Sequence, residues 1–233
     1  MHWVTNAAIA AVLTVLAAPP ALISQTRTAV PPASASQARS PEQVRREDWQ
    51  RVPDILAALG AKPGSRIADL GAGEGWLTLR LAKAVEVSGR VFASDISERA
   101  LSALTERLDS AGVRNVELML AEDDDPRLPH GTLDGVVILN AYHEMTKRVP
   151  VLEGVKRALR PGGVLVIVDN APPDSPQTRR EQTARHTLSI ELARDDLEAQ
   201  GFEIVLSEPT FISRELELHT HREWMLVARR PSR

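Results

Sequence analysis

The chain has 233 residues, a formal net charge of −3 and no cysteine. That length suits one domain plus an extra segment, and the missing cysteines exclude disulfides, thiolate metal sites and a cysteine nucleophile. Basic residues are spread along the chain and aromatics make up only 3%, so neither a basic field nor a base-stacking surface for nucleic acid is expected.

Residues 7–23 are almost wholly apolar, and a Pro/Ala/Ser/Gln-rich stretch continues through Ser40. An apolar run followed by small residues such as Ala33-Ser34-Ala35 has the form of a secretory signal. No Lys or Arg precedes that run, whereas Arg27, Arg39, Arg45 and Arg46 follow it. That asymmetry favours an uncleaved anchor with the folded part facing the cytoplasm, although the run is short for a span and is broken by Pro19-Pro20. Export to the periplasm, a membrane anchor through residues 7–23 and an extension from a mis-called start all stay open. The expected division is 1–40 as leader or anchor with linker, and 41–233 as the folded domain.

From Pro41 onward the chain reads as alternating helices and strands. Val44, Trp49, Val52, Ile55, Leu56 and Leu59 have helical spacing, with Pro53 starting a second helix inside the run. A turn over 60–65 leads to strand 66–71, helix 74–86, strand 90–96, helix 97–111 and strand 116–120. Strand 134–140, helix 147–159, strand 163–169 and helix 190–200 follow, and strands 202–211 and 221–230 close the chain. This alternation predicts an α/β fold, a doubly wound and mostly parallel sheet with helices on both faces. The last two strands are joined without a helix, so one of them must run antiparallel.

The most informative stretch is Asp69-Leu70-Gly71-Ala72-Gly73-Glu74-Gly75. Glycines at the end of a strand let the backbone turn sharply and let a nucleotide-like ligand approach closely. A dinucleotide fingerprint reads G-x-G-x-x-G; here the third glycine comes one residue early. A tight turn with no ligand would use the same residues. One βα unit later, strand 90–96 ends in Asp95-Ile96, with Ser97 placed to cap the next helix. An acid at that strand tip can accept hydrogen bonds from both ribose hydroxyls, or can simply begin a helix.

Ligands of a doubly wound sheet bind at the carboxyl ends of its strands, and three more ends carry polar residues. The third strand runs into Glu122-Asp123-Asp124-Asp125, a solvated loop or a cation-attracting run without recognisable ligand spacing. The fourth, fully apolar strand delivers Asn140-Ala141-Tyr142-His143-Glu144. His143 has the intrinsic pKa of a general base, Glu144 or Tyr142 would orient it or the substrate, and a purely structural His143 is the alternative. The fifth strand ends in Asp169-Asn170 and leads to a Pro-rich segment 171–189 containing Arg179, Arg180, Arg185 and His186. That segment reads as a lid whose arginines hold an anionic substrate or are merely solvated. Nothing is assigned to His219 or His221.

The Asp69-x-Gly71-x-Gly73-x-Gly75 loop, Asp95, the acidic loop, Leu159-Arg160-Pro161-Gly162-Gly163 and Gly201-Phe202 together resemble the class I S-adenosylmethionine (SAM)-dependent methyltransferases over residues 42–230. The resemblance is to the small-molecule, quinone-methyltransferase-like branch. Asp48-Trp49-Gln50-Arg51, Asp124-Asp125-Pro126-Arg127-Leu128-Pro129 and Tyr142-His143-Glu144 resemble an uncharacterised bacterial subgroup of it. It implies a Rossmann-like seven-stranded sheet with a C-terminal antiparallel hairpin, SAM as cofactor, and methyl transfer to a small organic acceptor. Carried over residue by residue, it implies cofactor contacts from Asp69, Gly71, Ala72, Gly73, Gly75, Asp95, Ile96 and Asn140. An acid that meets the adenine amine would be Asp123 first and Asp124 second. His143, Tyr142 and Glu144 are the catalytic candidates. Asp169-Asn170 resembles part of a catechol-type magnesium site, but Asn140 stands where that site needs an Asp, so no metal is expected. A SAM-binding scaffold without turnover shares the loop; an NAD(P)-dependent oxidoreductase would need the longer glycine spacing and a catalytic Tyr/Lys pair. The acceptor atom and oligomeric state are not written in these motifs.

Overall fold

The computed structural model describes residues 46–173, 177–216 and 220–232. The expected leader or anchor and His219 fall outside those residues, as does part of the expected lid. No helix among the described residues is long and apolar enough to cross a membrane.

Among the described residues, beyond a helical stretch over 46–49, six helices and seven strands follow the expected alternation. They are α1 (Val52–Leu59), β1 (Arg66–Leu70), α2 (Trp76–Val85), β2 (Arg90–Asp95), α3 (Glu98–Ala111), β3 (Val116–Leu120) and β4 (Leu133–Leu139). Then come α4 (Arg148–Ala158), β5 (Leu159–Asn170), α5 (Arg179–Thr183), α6 (Ile190–Ala199), β6 (Glu203–Glu215) and β7 (Thr220–Arg229). The strands form one sheet in the order β3-β2-β1-β4-β5-β7-β6. β1 to β5 are mutually parallel, and β7 pairs antiparallel with both β5 and β6. The order reverses between β1 and β4, which is where a doubly wound sheet opens a crevice for a ligand.

Side chains two apart along each strand share a face, and the core divides accordingly. Ala68, Val136, Ile138, Leu165, Ile167 and Leu226 pack with α4 and α6, while Ile67, Val137, Val166, Val168 and Met225 pack with α1 and α2. By the same alternation Asp169 lies on the α4/α6 face and Glu223 on the α1 face, each at the end of an apolar run. Ser97 caps α3 by accepting the Ala100 N–H at 3.2 Å. Pro53 sits in the first turn of α1, and Arg51 before it takes a left-handed φ of 50°. This breaks the 42–60 run in two, as Pro53 predicts.

Three elements differ from expectation, the first being β6, which runs on to Glu215 instead of ending at 211. β5 begins at Leu159 rather than 163, because Leu159 pairs with Leu133 before a register shift and the Pro-Gly turn is carried inside the strand. The expected lid contains α5, closed by a capping box in which Thr178 and Glu181 satisfy each other's backbone N–H groups.

Gly75 caps α2 with φ 81°, and a Cβ there would run into the Leu104 side chain. Gly112 also has a left-handed φ, but its Cβ would meet nothing within 4 Å. Chemical denaturation should therefore show Gly75→Ala losing about 2–4 kcal/mol, left-handed strain plus overpacking, and Gly112→Ala only about 1–2 kcal/mol. Equal losses would mean that α3 yields freely to the new methyl.

Candidate active site

β1 ends at Leu70, and Gly71, Gly73 and Gly75 then take φ values of 77°, 53° and 81°, a region side chains rarely adopt. The Gly71 and Ala72 amides donate to the Ser94 carbonyl at 2.8 and 3.1 Å. The Gly73 amide donates to Asp95 Oδ2 at 2.7 Å, and the Ser97 amide to Asp95 Oδ1 at 2.8 Å. A carboxylate has about four lone-pair sites, so Asp95 retains acceptor capacity after both bonds. A Cβ on Gly71 would stand 2.5 Å from the Ala141 Cβ, whereas one on Gly73 would enter open space.

That open space has two chambers meeting at Gly71, Gly73 and Asn140. One, of ≈ 260 Å³, is lined by Asp95, Ile96, Asp123, Glu144 and Met145 among others. Ile96 is 62% exposed there, an apolar wall without a protein partner over most of its surface. The other, of ≈ 420 Å³, is lined by Arg46, Asp69, Ala72 and Trp76. Asn140 turns the chain at the tip of β4 with φ 54°, a conformation Asn tolerates better than most residues. Its amide nitrogen donates to Glu223 at 3.2 Å, and its Oδ1 is buried without a hydrogen-bond partner. Such an orphaned acceptor invites a donor from a ligand.

Behind Asn140 the short 3₁₀ turn 142–144 points its residues in different directions. Tyr142 goes inward, where it is fully buried and donates to Asp196 at 3.0 Å. Burial, followed by the charge of Asp196, holds its hydroxyl far above the usual tyrosine range. His143 is buried too. Its backbone amide donates to Asp169 Oδ2 at 2.8 Å and its ring Nδ1 to Oδ1 at 2.7 Å, since a carboxylate can only accept. The Asn170 amide adds a third donor to Asp169 at 2.7 Å. Burial pulls the His143 pKa down, but the hydrogen bond to Asp169 and the charges of Asp169 and Glu144 outweigh it and leave the value raised. Nε2 looks outward, 3.7 Å from the exposed Glu144 carboxylate.

Of the expected cofactor residues, the fold brings Asp69, Gly71, Ala72, Gly73, Asp95, Ile96, Asp123 and Asn140 to the two chambers. Four expectations need correction. Gly75 faces Leu104 rather than the chambers, although Glu74 and Trp76 on either side of it line the second. Asp124 pairs with Lys147 at 3.2 Å and does not line them. Tyr142 faces the core, so it cannot touch a substrate. His143 also stands behind Glu144 rather than in the chamber wall.

Other residues at the site had been given no role there. Arg46 and Arg80 share a common partner, the Trp76 ring, each 4.0 Å from its centroid. Gln50 reaches Glu223, 173 positions away, at 2.7 Å. The Gln50–Glu223 bond fastens the segment before α1 across the open end of the sheet.

A methyltransferase-domain family profile matches residues 67–163, from β1 through the start of β5. Over those residues the chain is similar to methyltransferase domains. It is 31% identical over 129 residues to the ubiquinone/menaquinone biosynthesis C-methyltransferase UbiE of Ectopseudomonas mendocina, covering 55% of this chain and 50% of the relative. The chain thus spans about half the length of the curated relatives it matches. In fold, the domain is similar to a SAM-dependent methyltransferase from Aquifex aeolicus (TM-score 0.65, 24% identity, 79% of this chain and 92% of that one). It is also similar to phosphoethanolamine N-methyltransferase 2 of Haemonchus contortus in complex with SAM (TM-score 0.62, 16% identity, 78% and 53%). The fold is that of these SAM-dependent methyltransferases.

Within the matched residues Asp69 is 2% exposed and accepts a short bond from the Thr78 hydroxyl at 2.6 Å. Burial, which the Thr78 bond only partly offsets, raises its pKa from 3.8 to about 6. The folded state therefore holds this proton more tightly than the unfolded chain does. Below pH 4 both states are protonated and Asp69 has no pH-dependent effect. Between pH 4 and 6 the unfolded chain ionises first, so stability falls as pH rises, and above about 6 the loss is complete. The loss should approach about 3 kcal/mol, at about 1.4 kcal/mol per pH unit. Urea unfolding of Asp69→Asn should lack this component between pH 4 and 7; an identical pH profile would contradict the buried, proton-holding carboxyl.

Proposed function

We propose that the chain is an enzyme that transfers the methyl group of SAM to a small organic acceptor. What carries this reading is the two-chambered cleft at the reversal of strand order, joined at Gly73 and Asn140. When bound, SAM supplies an electrophilic methyl group on a cationic sulfur. Asp95 would take the ribose hydroxyls with its spare lone pairs, and Ile96 would cover the adenine, whose amine meets Asp123. The methionine end would lie in the second chamber, its ammonium on the free Asn140 Oδ1 and its carboxylate toward Arg46. Each is a pairing of an available group with its complement.

The acceptor would enter the first chamber beside Ala141, Met145 and Val151, an apolar wall edged by Glu144. Similarity to the quinone C-methyltransferases supports a quinone-like ring there. In-line transfer demands alignment above all, and Glu144, backed by the buried His143–Asp169 pair, edges the chamber where the acceptor's reacting atom would lie. The apolar stretch 7–23 belongs to this proposal as a leader or anchor, to be read by cell fractionation.

Isothermal titration of the full-length chain should give saturable SAM binding and none with NADH. Asp95→Ala should weaken SAM binding by about 1–3 kcal/mol, the cost of losing a charged hydrogen-bonding partner. NADH binding, or an unchanged SAM affinity in the variant, would overturn the assignment.

A further inference from the structure

Three lone-pair atoms converge just outside the cofactor cleft. Glu144 Oε1 lies 3.7 Å from His143 Nε2 and 3.4 Å from His186 Nδ1, and all three atoms lie within 4.8 Å of one another. These separations are long for a direct hydrogen bond. Zinc-class bonds of about 2.0–2.2 Å put neighbouring ligand atoms about 3.4 Å apart in a tetrahedron and about 3.0 Å apart in an octahedron. The observed pair of 3.4 and 3.7 Å therefore favours tetrahedral coordination. We propose that His143, Glu144 and His186 bind one divalent transition-metal ion of the zinc class, with a fourth position open to the acceptor.

The surroundings of His143 are an independent reason for this reading. Its Nδ1–H is fixed on the buried Asp169 at 2.7 Å, which leaves the Nε2 lone pair aimed at the cluster. A histidine that ligates a metal usually donates its other ring nitrogen in this way, to a carboxylate that sets the tautomer and raises basicity. Two histidines and one carboxylate, with a position left over, are also the donor set of open zinc sites rather than closed structural ones. The rings of His143 and His186 meet edge to face with centroids 5.6 Å apart, so a small rotation of the exposed His186 closes the third edge.

Glu144 borders the first chamber, and His186 borders a groove on the other side with Asn170, Pro172 and His221. An ion between them would stand where a bound acceptor passes from groove to chamber. Its open position would take an acceptor oxygen and lower that oxygen's pKa. This use of the ion rests on the methyl-transfer reading; the ion site itself does not.

The test is titration of the purified, chelator-treated full-length chain with Co²⁺ followed by visible absorption, with Zn²⁺ as competitor. One equivalent should give the intense visible bands of tetrahedral Co²⁺, displaced by Zn²⁺. His186→Ala and Glu144→Gln should each weaken Co²⁺ binding roughly tenfold or more, and Asp169→Asn about 10–100-fold. His130→Ala, on a distant exposed turn, should change nothing, and His186→Ala should keep its SAM affinity. No stoichiometric binding, a pale octahedral spectrum, or affinity untouched by His186→Ala would overturn the site. SAM binding without Co²⁺ binding would remove the ion and leave the methyl-transfer reading standing; Co²⁺ binding without SAM binding would do the reverse.

Discussion

The hydrogen bond from the Gly73 amide to Asp95 fixes the glycine loop against the tip of β2, and the shape of the cleft follows from it. β1 and β2 are adjacent and parallel, with Leu70 beside Ser94. The chain leaving β1 must therefore turn within three residues to bring a loop amide over the neighbouring carboxylate. Only positive φ values at Gly71 and Gly73 allow that path without a side chain in the way. The same turn hands the chain to α2 at Gly75, against Leu104 on α3. One loop thus sets the cofactor wall and the packing of two helices.

Three carboxylates buried at the carboxyl edge of the sheet organise the rest. Glu223 accepts from Gln50, Asn140 and His221, tying the segment before α1 to the tips of β4 and β7. Asp169 accepts from two backbone amides and the His143 ring. Asp69 has the Thr78 hydroxyl, and it is the one whose pKa is pushed up to about 6. Buried charge is costly unless fully hydrogen-bonded. Its concentration at the one edge of the sheet that holds the cleft marks that edge as built for a polar ligand. The middles of the central strands are apolar, with Ile67, Val137, Val166 and Ile167 fully buried.

The sequence carried the strand-helix order, the glycine loop, Asp95 and the polar cluster after β4, because each is a local pattern at the end of a regular element. It did not carry what depends on register between strands. Leu139 pairs with Val168, and only that pairing brings Asp169 beneath His143. Gln50 meets Glu223 because β7 runs back beside β5. Tyr142 looked like a neighbour of the chemistry, yet a tight 3₁₀ turn sends consecutive side chains apart and this one enters the core. Gly75 looked like a third cradle residue because spacing along the chain cannot reveal Leu104 across the gap. The capping box at Thr178-x-x-Glu181 starts α5 within the segment read only as a lid, a local signal that the reading of its prolines and arginines passed over.

Crystallisation of the full-length chain with S-adenosylhomocysteine tests the central claim most directly. The account predicts the ribose hydroxyls on Asp95, the adenine over Ile96, and the amino-acid end beneath Asn140 with its nitrogen on Oδ1. A ligand bound elsewhere, or one whose ribose makes no contact with Asp95, would contradict it.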